Sequence, residues 1–251
     1  MALLATMDIT SKGWVLFTQQ LRDLWKKTWL SLIFIVIGNL LILVADETFP
    51  AMWVPNMALS IVLTLLGLLL LAYFYSHIYV TATRILWTGY GQEYTNTLST
   101  TKLILSFLFV SIFSSLIIGI GFLLLIIPGI MFLTWYQFAQ YTLLIDNQHG
   151  LKALKTSKEL VKGRFWAVLG RMILLMIIFV VFSFVTDIPE KIILYIVDQT
   201  NTGVTSHALW MLFASTISMI GAFFVGLFAL AADLVFFHNV KTTPVQETTK
   251  V

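Results

Sequence analysis

From Leu103 to Ile127 the chain runs without a single charged side chain, long enough to form a helix across a bilayer. Five other stretches approach it in length and apolarity. With it they give six candidate spans: Trp29–Ala45, Met57–Val80, Leu103–Ile127, Ile130–Ile145, Phe165–Thr186 and Ala208–Phe237. A transmembrane helix needs about 20 apolar residues, and about 17 suffice with helpful flanks. Barrel strands would be about ten residues long and strictly alternating, so helices are expected. Composition agrees: 59% of the 251 residues are hydrophobic and 11% charged, against about 45–50% and 25% for soluble domains. The expected fold class is all-α, a polytopic transmembrane bundle of six helices in one membrane domain spanning residues 29–238. A cytoplasmic interfacial helix over 1–28 would precede it and a polar cytoplasmic tail over 239–251 would follow. The first run reads as a retained helix rather than a cleaved signal, because Leu43-Val44-Ala45 lacks the small residue expected before a cut site.

The basic residues set the orientation. Lys12, Arg22, Lys26 and Lys27 precede the first run, and Arg84 and Lys102 flank the second loop. Lys152, Lys155, Lys158, Lys162 and Arg164 occupy the fourth loop, and Lys241 and Lys250 lie in the tail. The opposite side holds only Lys191, and Arg171 lies within a span. The excess of lysine and arginine on one side predicts that both termini are cytoplasmic. Asp46, Glu47, Asp187, Glu190 and Asp198 then fall outside, with Phe49 and Trp53, beside Pro50 and Pro55, as an outer aromatic belt. A multi-pass protein of the cell (inner or plasma) membrane is the expected localisation.

Two amphipathic stretches read as cytoplasmic surface helices. In Ser11–Lys27, Ser11 is the expected N-cap, and Trp14, Phe17, Leu21 and Leu24 recur at helical spacing. In Leu151–Arg164, Lys152, Lys155, Lys158 and Lys162 share one arc with Glu159, opposite Ala153, Leu154, Ser157, Leu160 and Val161. A lysine face over an apolar face suits anionic headgroups, each basic residue contributing about 1 kcal/mol near the surface. The plainer reading is that these lysines fix topology and solubility.

Polar groups at membrane depth are costly and mark function by default. Asn39 and His77 suit packed, hydrogen-bonded roles, with a metal or proton role for His77 as the sharper alternative. Gln137 and Gln140 either line a polar groove or bond across helices, and cross-helix bonding is preferred. Arg84, Asp146, Arg171 and Asp233 fall near the cytoplasmic ends of their spans, and Asp233 is expected to pair with Arg171 or Arg84. An ion or proton relay is the alternative. Ala214, Ser218, Ala222 and Gly226 form a small-residue stripe that favours helix packing. Pro128-Gly129 reads as a tight outer turn, in preference to a broken helix lining a cavity.

No HExxH, GxSxG, P-loop or GxGxxG motif occurs. The four histidines lack metal-ligand spacing, and there is no cysteine. Neither a metal, a cofactor nor a nucleic-acid partner is expected. The segment Ile127-Pro128-Gly129-Ile130, then Asp146, Gly150, Ala153-Leu154, Ser157, Leu160, Gly163 and Phe165-Trp166, resembles the centre of an uncharacterised bacterial six-helix membrane family. That family is related to the membrane domain fused to some glycerophosphodiester phosphodiesterases. Relatives often carry an arginine in the fourth span, whereas Leu133-Thr134-Trp135-Tyr136 has none, so any role of that arginine does not transfer. The phosphodiesterase activity belongs to a separate soluble barrel, so the resemblance implies a membrane domain without catalysis.

Two functions follow. The first is a non-catalytic membrane protein that organises anionic lipid headgroups or a partner protein at the cytoplasmic face, with a membrane-protein partner or a homo-oligomer both compatible. The second is a small transporter or channel-like protein with a polar site between helices three and four.

Overall fold

The computed structural model describes residues 4–48, 54–96, 98–199 and 204–244. Eight helices follow one another: α1 Thr6–Thr48, α2 Val54–Gly89, α3 Thr100–Leu124, α4 Ile126–Tyr136, α5 Ala139–Leu144, α6 Leu151–Val161, α7 Phe165–Gln199 and α8 Val204–Thr242. Among the described residues there is no strand. Five helices (α1, α2, α3, α7 and α8) are long and apolar enough to cross a membrane. The protein is therefore an all-helical, multi-pass membrane protein. The expected fourth span is not one helix. It is divided into α4, of 11 residues, and α5, of 6.

The chain forms two compact units, one from the described parts of Met1–Phe17 and Arg164–Val251, the other from Thr18–Gly163. In the second unit, α1 and α2 run antiparallel. Gly38 faces Gly67, and a Cβ on Gly67 would lie 2.8 Å from the Gly38 carbonyl oxygen. Phe34 stacks on Phe74 at 4.4 Å, and the Ser31 hydroxyl lies 2.9 Å from His77 Nδ1. Without a hydrophobic drive between helices in lipid, such close backbone approach supplies the packing energy.

A single residue joins α3 to α4. Leu125 is extended (φ −164°, ψ 153°) and its N–H bonds back to Gly121 O. The turn is thus at Leu125, not at the expected Pro128-Gly129. Proline is tolerated in the first turn of α4, where its missing N–H would have no intrahelical acceptor. Gly129 instead permits contact: a Cβ there would lie 2.5 Å from the Phe122 ring. Antiparallel pairing with α3 continues past the α4–α5 break, where Gln140 Nε2 donates to Ser111 Oγ at 3.1 Å.

In the first unit, α7 and α8 also run antiparallel. Gly221 packs on Thr186, Ser218 donates to Asp187 at 2.9 Å, and Phe228 meets Phe179 and Phe182 edge-on. The expected small-residue stripe only partly serves this seam. Ala214 is buried and Ser218 bonds α7, but Ala222 and Gly226 are exposed. Gly221 makes the close approach. The start of α1 packs on α8, with a Gly13 Cβ position 2.7 Å from Ala232 Cα and Trp14 edge-on to Phe228.

The helices outrun the spans set by hydropathy. α7 continues through Asp187 and Pro189 to Gln199, about 50 Å at 1.5 Å per residue. Charged residues mark where hydrocarbon ends, not where helices end. The expected surface helix over 11–27 is likewise the opening part of one continuous 43-residue helix. Ser11 lies inside it and bonds Asp8 O, so it is not the N-cap. The buried face of α1 passes through Ile9, Gly13, Leu24, Thr28, Ile35 and Ala45, whereas Trp14 is 51% exposed. Phe49, Pro50, Trp53 and Lys250 lie outside the described residues, and the side chains of Asp46, Glu47, Pro55 and Asp198 are not described.

Gly67→Ala should destabilise the fold by about 1–3 kcal/mol, because the added methyl meets backbone on α1. Gly119→Ala, where a Cβ has nothing within 4 Å, should be neutral. Paired unfolding curves in detergent check both.

Candidate functional site

The most elaborated region lies where α4, α5 and α6 meet the loop before α3. Its centre is the break between α4 and α5. Phe138 adopts φ −97°, ψ 4°, outside the helical range. A buried backbone N–H at a helix break needs a partner. Ser157 on α6 provides it: the Phe138 N–H donates to Ser157 Oγ at 3.1 Å, and that hydroxyl donates to Trp135 O at 2.7 Å. One side chain thus satisfies a donor and an acceptor on either side of the break.

The end of α5 is secured in the same manner. Asn96 is buried, and its amide donates to Leu143 O and Leu144 O at 3.2 and 3.3 Å. Its carbonyl oxygen accepts from the Leu98 N–H. Thr142, fully buried, donates to Ala153 O on α6 at 2.9 Å. The α5–α6 turn uses left-handed backbone at Asn147 (φ 55°) and Gly150 (φ 58°), and Gly163 (φ 81°) closes α6. These conformations favour glycine and asparagine.

Against this frame α6 lies with its apolar arc inward. Ala153, Leu154, Ser157 and Val161 are buried, while Lys152, Lys155, Lys158 and Glu159 are exposed. Lys162, also exposed, follows as the C-cap. Lys158 differs from the others in having a fixed partner: its ammonium sits 4.1 Å from the Trp135 ring centroid, a contact worth about 0.5–2 kcal/mol.

Residues 89–240 match the family model of DUF7847, a domain of unknown function. The chain belongs to this family. No curated protein and no solved structure matches the chain. The DUF7847 region includes the α3–α4 turn, the Ser157-pinned break, the lysine face, and α7 with most of α8. The motif residues from Ile127 to Trp166 fall inside it as well. Several of them have a definite physical role in the fold. Gly129 allows close packing, Gly150 and Gly163 supply positive φ, Ala153 is buried against α5, and Ser157 pins the break.

The remaining candidates divide. His77 meets Ser31 and Gln140 meets Ser111, both cross-helix bonds. Gln137 forms the C-cap of α4. Asn39 donates to Ile35 O of its own helix at 3.0 Å. Asp146 begins the α5–α6 loop, where its carbonyl oxygen accepts from Gln148 Nε2. Arg171 donates to Leu4 O at 2.7 Å and to Ala167 O at 2.8 Å. Backbone carbonyls thus occupy part of the guanidinium expected to meet Asp233. Leu4 also donates to Asn239 Oδ1 at 3.0 Å, so the N-terminal backbone is held between α7 and α8. Arg84 rests on Tyr94, its Cζ 4.9 Å from the ring centroid. Among the described residues no group of histidines and carboxylates could hold a metal ion.

The sequence pattern does not single out Asn96, Thr142 or Tyr94. Each acts through a neighbour distant in sequence, and only the hydrophilic run Gln92–Asn96 between spans hints at a structured loop.

Ser157→Ala would remove the hydrogen bonds to the Phe138 N–H and the Trp135 carbonyl and should cost about 1–3 kcal/mol. The Phe138 amide should exchange with deuterium faster than in the parent chain. Equal exchange in the two proteins would show that Ser157 does not pin the break.

Proposed function

We propose that this DUF7847 protein is a non-catalytic organiser of anionic lipid at the cytoplasmic face of the cell membrane. The observation that carries the reading is the lysine face of α6, exposed on a helix whose other face is locked to α4 and α5. A basic amphipathic helix fixed at an interface attracts anionic headgroups and holds them where its support dictates. On this reading α4 and α5 act together as a broken sixth span, and both termini are cytoplasmic. The 19 residues Ile126–Leu144 would cover about 28 Å at 1.5 Å per residue, close to the hydrocarbon thickness of about 30 Å. Their sustained pairing with α3 supports this, and the distribution of basic residues supports the orientation. A bacterial plasma membrane, and kinship with the membrane domain joined to some glycerophosphodiester phosphodiesterases, rest on the resemblance of the Ile127–Trp166 motif. A partner protein or a second copy of the chain could share the same face.

A second reading, a small transporter with a polar site between α3 and the broken helix, draws on the break itself. The groove of about 470 Å³ along α3 adds nothing to this reading, since Ile112, Leu116, Ile120 and Leu123 line it beside Ser111, Ser115 and Gly119. A further weakness is that Ser111 and Gln140 bond each other.

In bilayers mixing phosphatidylcholine and phosphatidylglycerol, the chain should enrich phosphatidylglycerol around itself, and salt should reduce the enrichment. Replacing Lys152, Lys155, Lys158 and Lys162 together with glutamine should largely abolish that salt-sensitive population, given about 1 kcal/mol per basic residue. Unchanged enrichment in a correctly oriented variant would refute the reading. Solute flux into liposomes that is lost on blocking the α3 groove would favour the second.

A further inference from the structure

The loop between α2 and α3 folds back along α2 and is anchored at two points. The Gly91 N–H donates to Thr88 O and the Gln92 N–H to Trp87 O, with Gly91 at φ 80° making the reversal. Trp87 Nε1 then donates to Glu93 O at 3.1 Å. Three residues on, Asn96 clasps the end of α5. Tyr94 stands between these anchors, so its ring is placed by the fold rather than by its own freedom. That ring lies against the guanidinium of Arg84, five residues before the end of α2.

The pair is polar and unsatisfied. Arg84 Nε and the Tyr94 hydroxyl are both buried, and neither makes a hydrogen bond beyond the contact between the two side chains themselves. No carboxylate of a described residue forms an ion pair with Arg84. A buried N–H or O–H without a partner costs about 1–3 kcal/mol, and a cation partly withdrawn from water costs more. Such groups in a folded protein call for an explanation. Burial pushes the Tyr94 phenol above its usual range, against the opposing charge and hydrogen bond of Arg84. It therefore remains a protonated donor at neutral pH. One fixed positive charge and two donor groups held side by side match a group with negative charge and several acceptor oxygens. Arginine's planar fork suits phosphate better than a lysine would. Both residues remain half-exposed as wholes, so an anion would meet the pair at its outer edge, with the Arg84 Nε and the Tyr94 hydroxyl beneath the surface.

We propose that Arg84 and Tyr94 form a seat for a single phosphate group, carried by an anionic phospholipid or present as free inorganic phosphate. The site is separate from the lysine face. It rests on the lipid-organising reading only where the phosphate belongs to a lipid.

The test uses the full chain in phosphatidylcholine nanodiscs, into which phosphatidylglycerol is introduced in one arm and inorganic phosphate in the other. The wild type should show one saturable site in at least one arm. Binding in the lipid arm alone assigns the phosphate to a headgroup, and binding in the phosphate arm assigns it to the free anion. Arg84→Gln should weaken that site about tenfold or more, and Tyr94→Phe, which removes one hydroxyl from an otherwise intact ring, about fivefold. The four-lysine glutamine variant should keep the site while losing the salt-sensitive lipid population. A wild type with no saturable site in either arm overturns the proposal, as does Tyr94→Phe and Arg84→Gln binding like wild type. Loss of the site in the four-lysine variant alone would move it to α6, leaving the lipid-organising reading standing and this one refuted.

Discussion

Backbone hydrogen bonding governs this protein more than any side-chain charge does. In hydrocarbon no water is available to satisfy a peptide group, so every interruption of a helix must be answered by another part of the chain. Long helices meet the requirement by themselves. Interruptions occur at Leu125, at Gln137–Phe138 and after Leu144, and at the last two the answering groups come from elsewhere in sequence. Ser157 answers for Trp135 and Phe138, and Asn96 answers for Leu143 and Leu144. Because Ser157 belongs to α6 and Asn96 to the α2–α3 loop, satisfying the backbone also fixes α6 and that loop in place.

The proposed function grows from that fixation. A lysine-bearing helix free in the interface would attract anionic lipid without arranging it. With Ala153, Ser157 and Val161 buried, α6 has one orientation, and its lysines project along the opposite arc. Trp135 holds Lys158 at one point of that arc. Arg84 depends on the same framework, since the loop that positions Tyr94 is anchored by Asn96 to the end of α5. Packing contributes the rest. Gly38 with Gly67, Gly121 with Gly129 and Gly221 with Thr186 bring helices together where lipid and side chain are equally apolar, so contact distance decides association.

Much of this is legible in the sequence. Run length marks the long helices, and the 100° periodicity of Leu151–Val161 marks the buried and exposed arcs of α6. The packing face of α1 escapes a search among large apolar residues. It passes through Gly13, Thr28, Ser31 and Gly38, which pack closely because they are small. Hydropathy ends the helices too early, at Val80 and Thr186, since it reports the membrane boundary while the hydrogen-bond ladder continues beyond it. The expected Asp233–Arg171 pair overlooks the carbonyl of Leu4, a partner invisible to side-chain reasoning about an arginine at depth. The position of the α4–α5 break is equally hidden. Nothing in Tyr136-Gln137-Phe138 forbids helix, and the serine that bonds across the break lies some twenty residues later.

Everything proposed for the lysine face depends on the chain lying in a bilayer with α6 on the cytoplasmic side and the α7–α8 connection on the other. Because the sequence contains no cysteine, single cysteines introduced at Lys155 and at Lys191 report their surroundings without background. In intact cells an impermeant thiol reagent should label Lys191→Cys and spare Lys155→Cys until the membrane is opened. Labelling of both from the outside, or of neither, would contradict the arrangement.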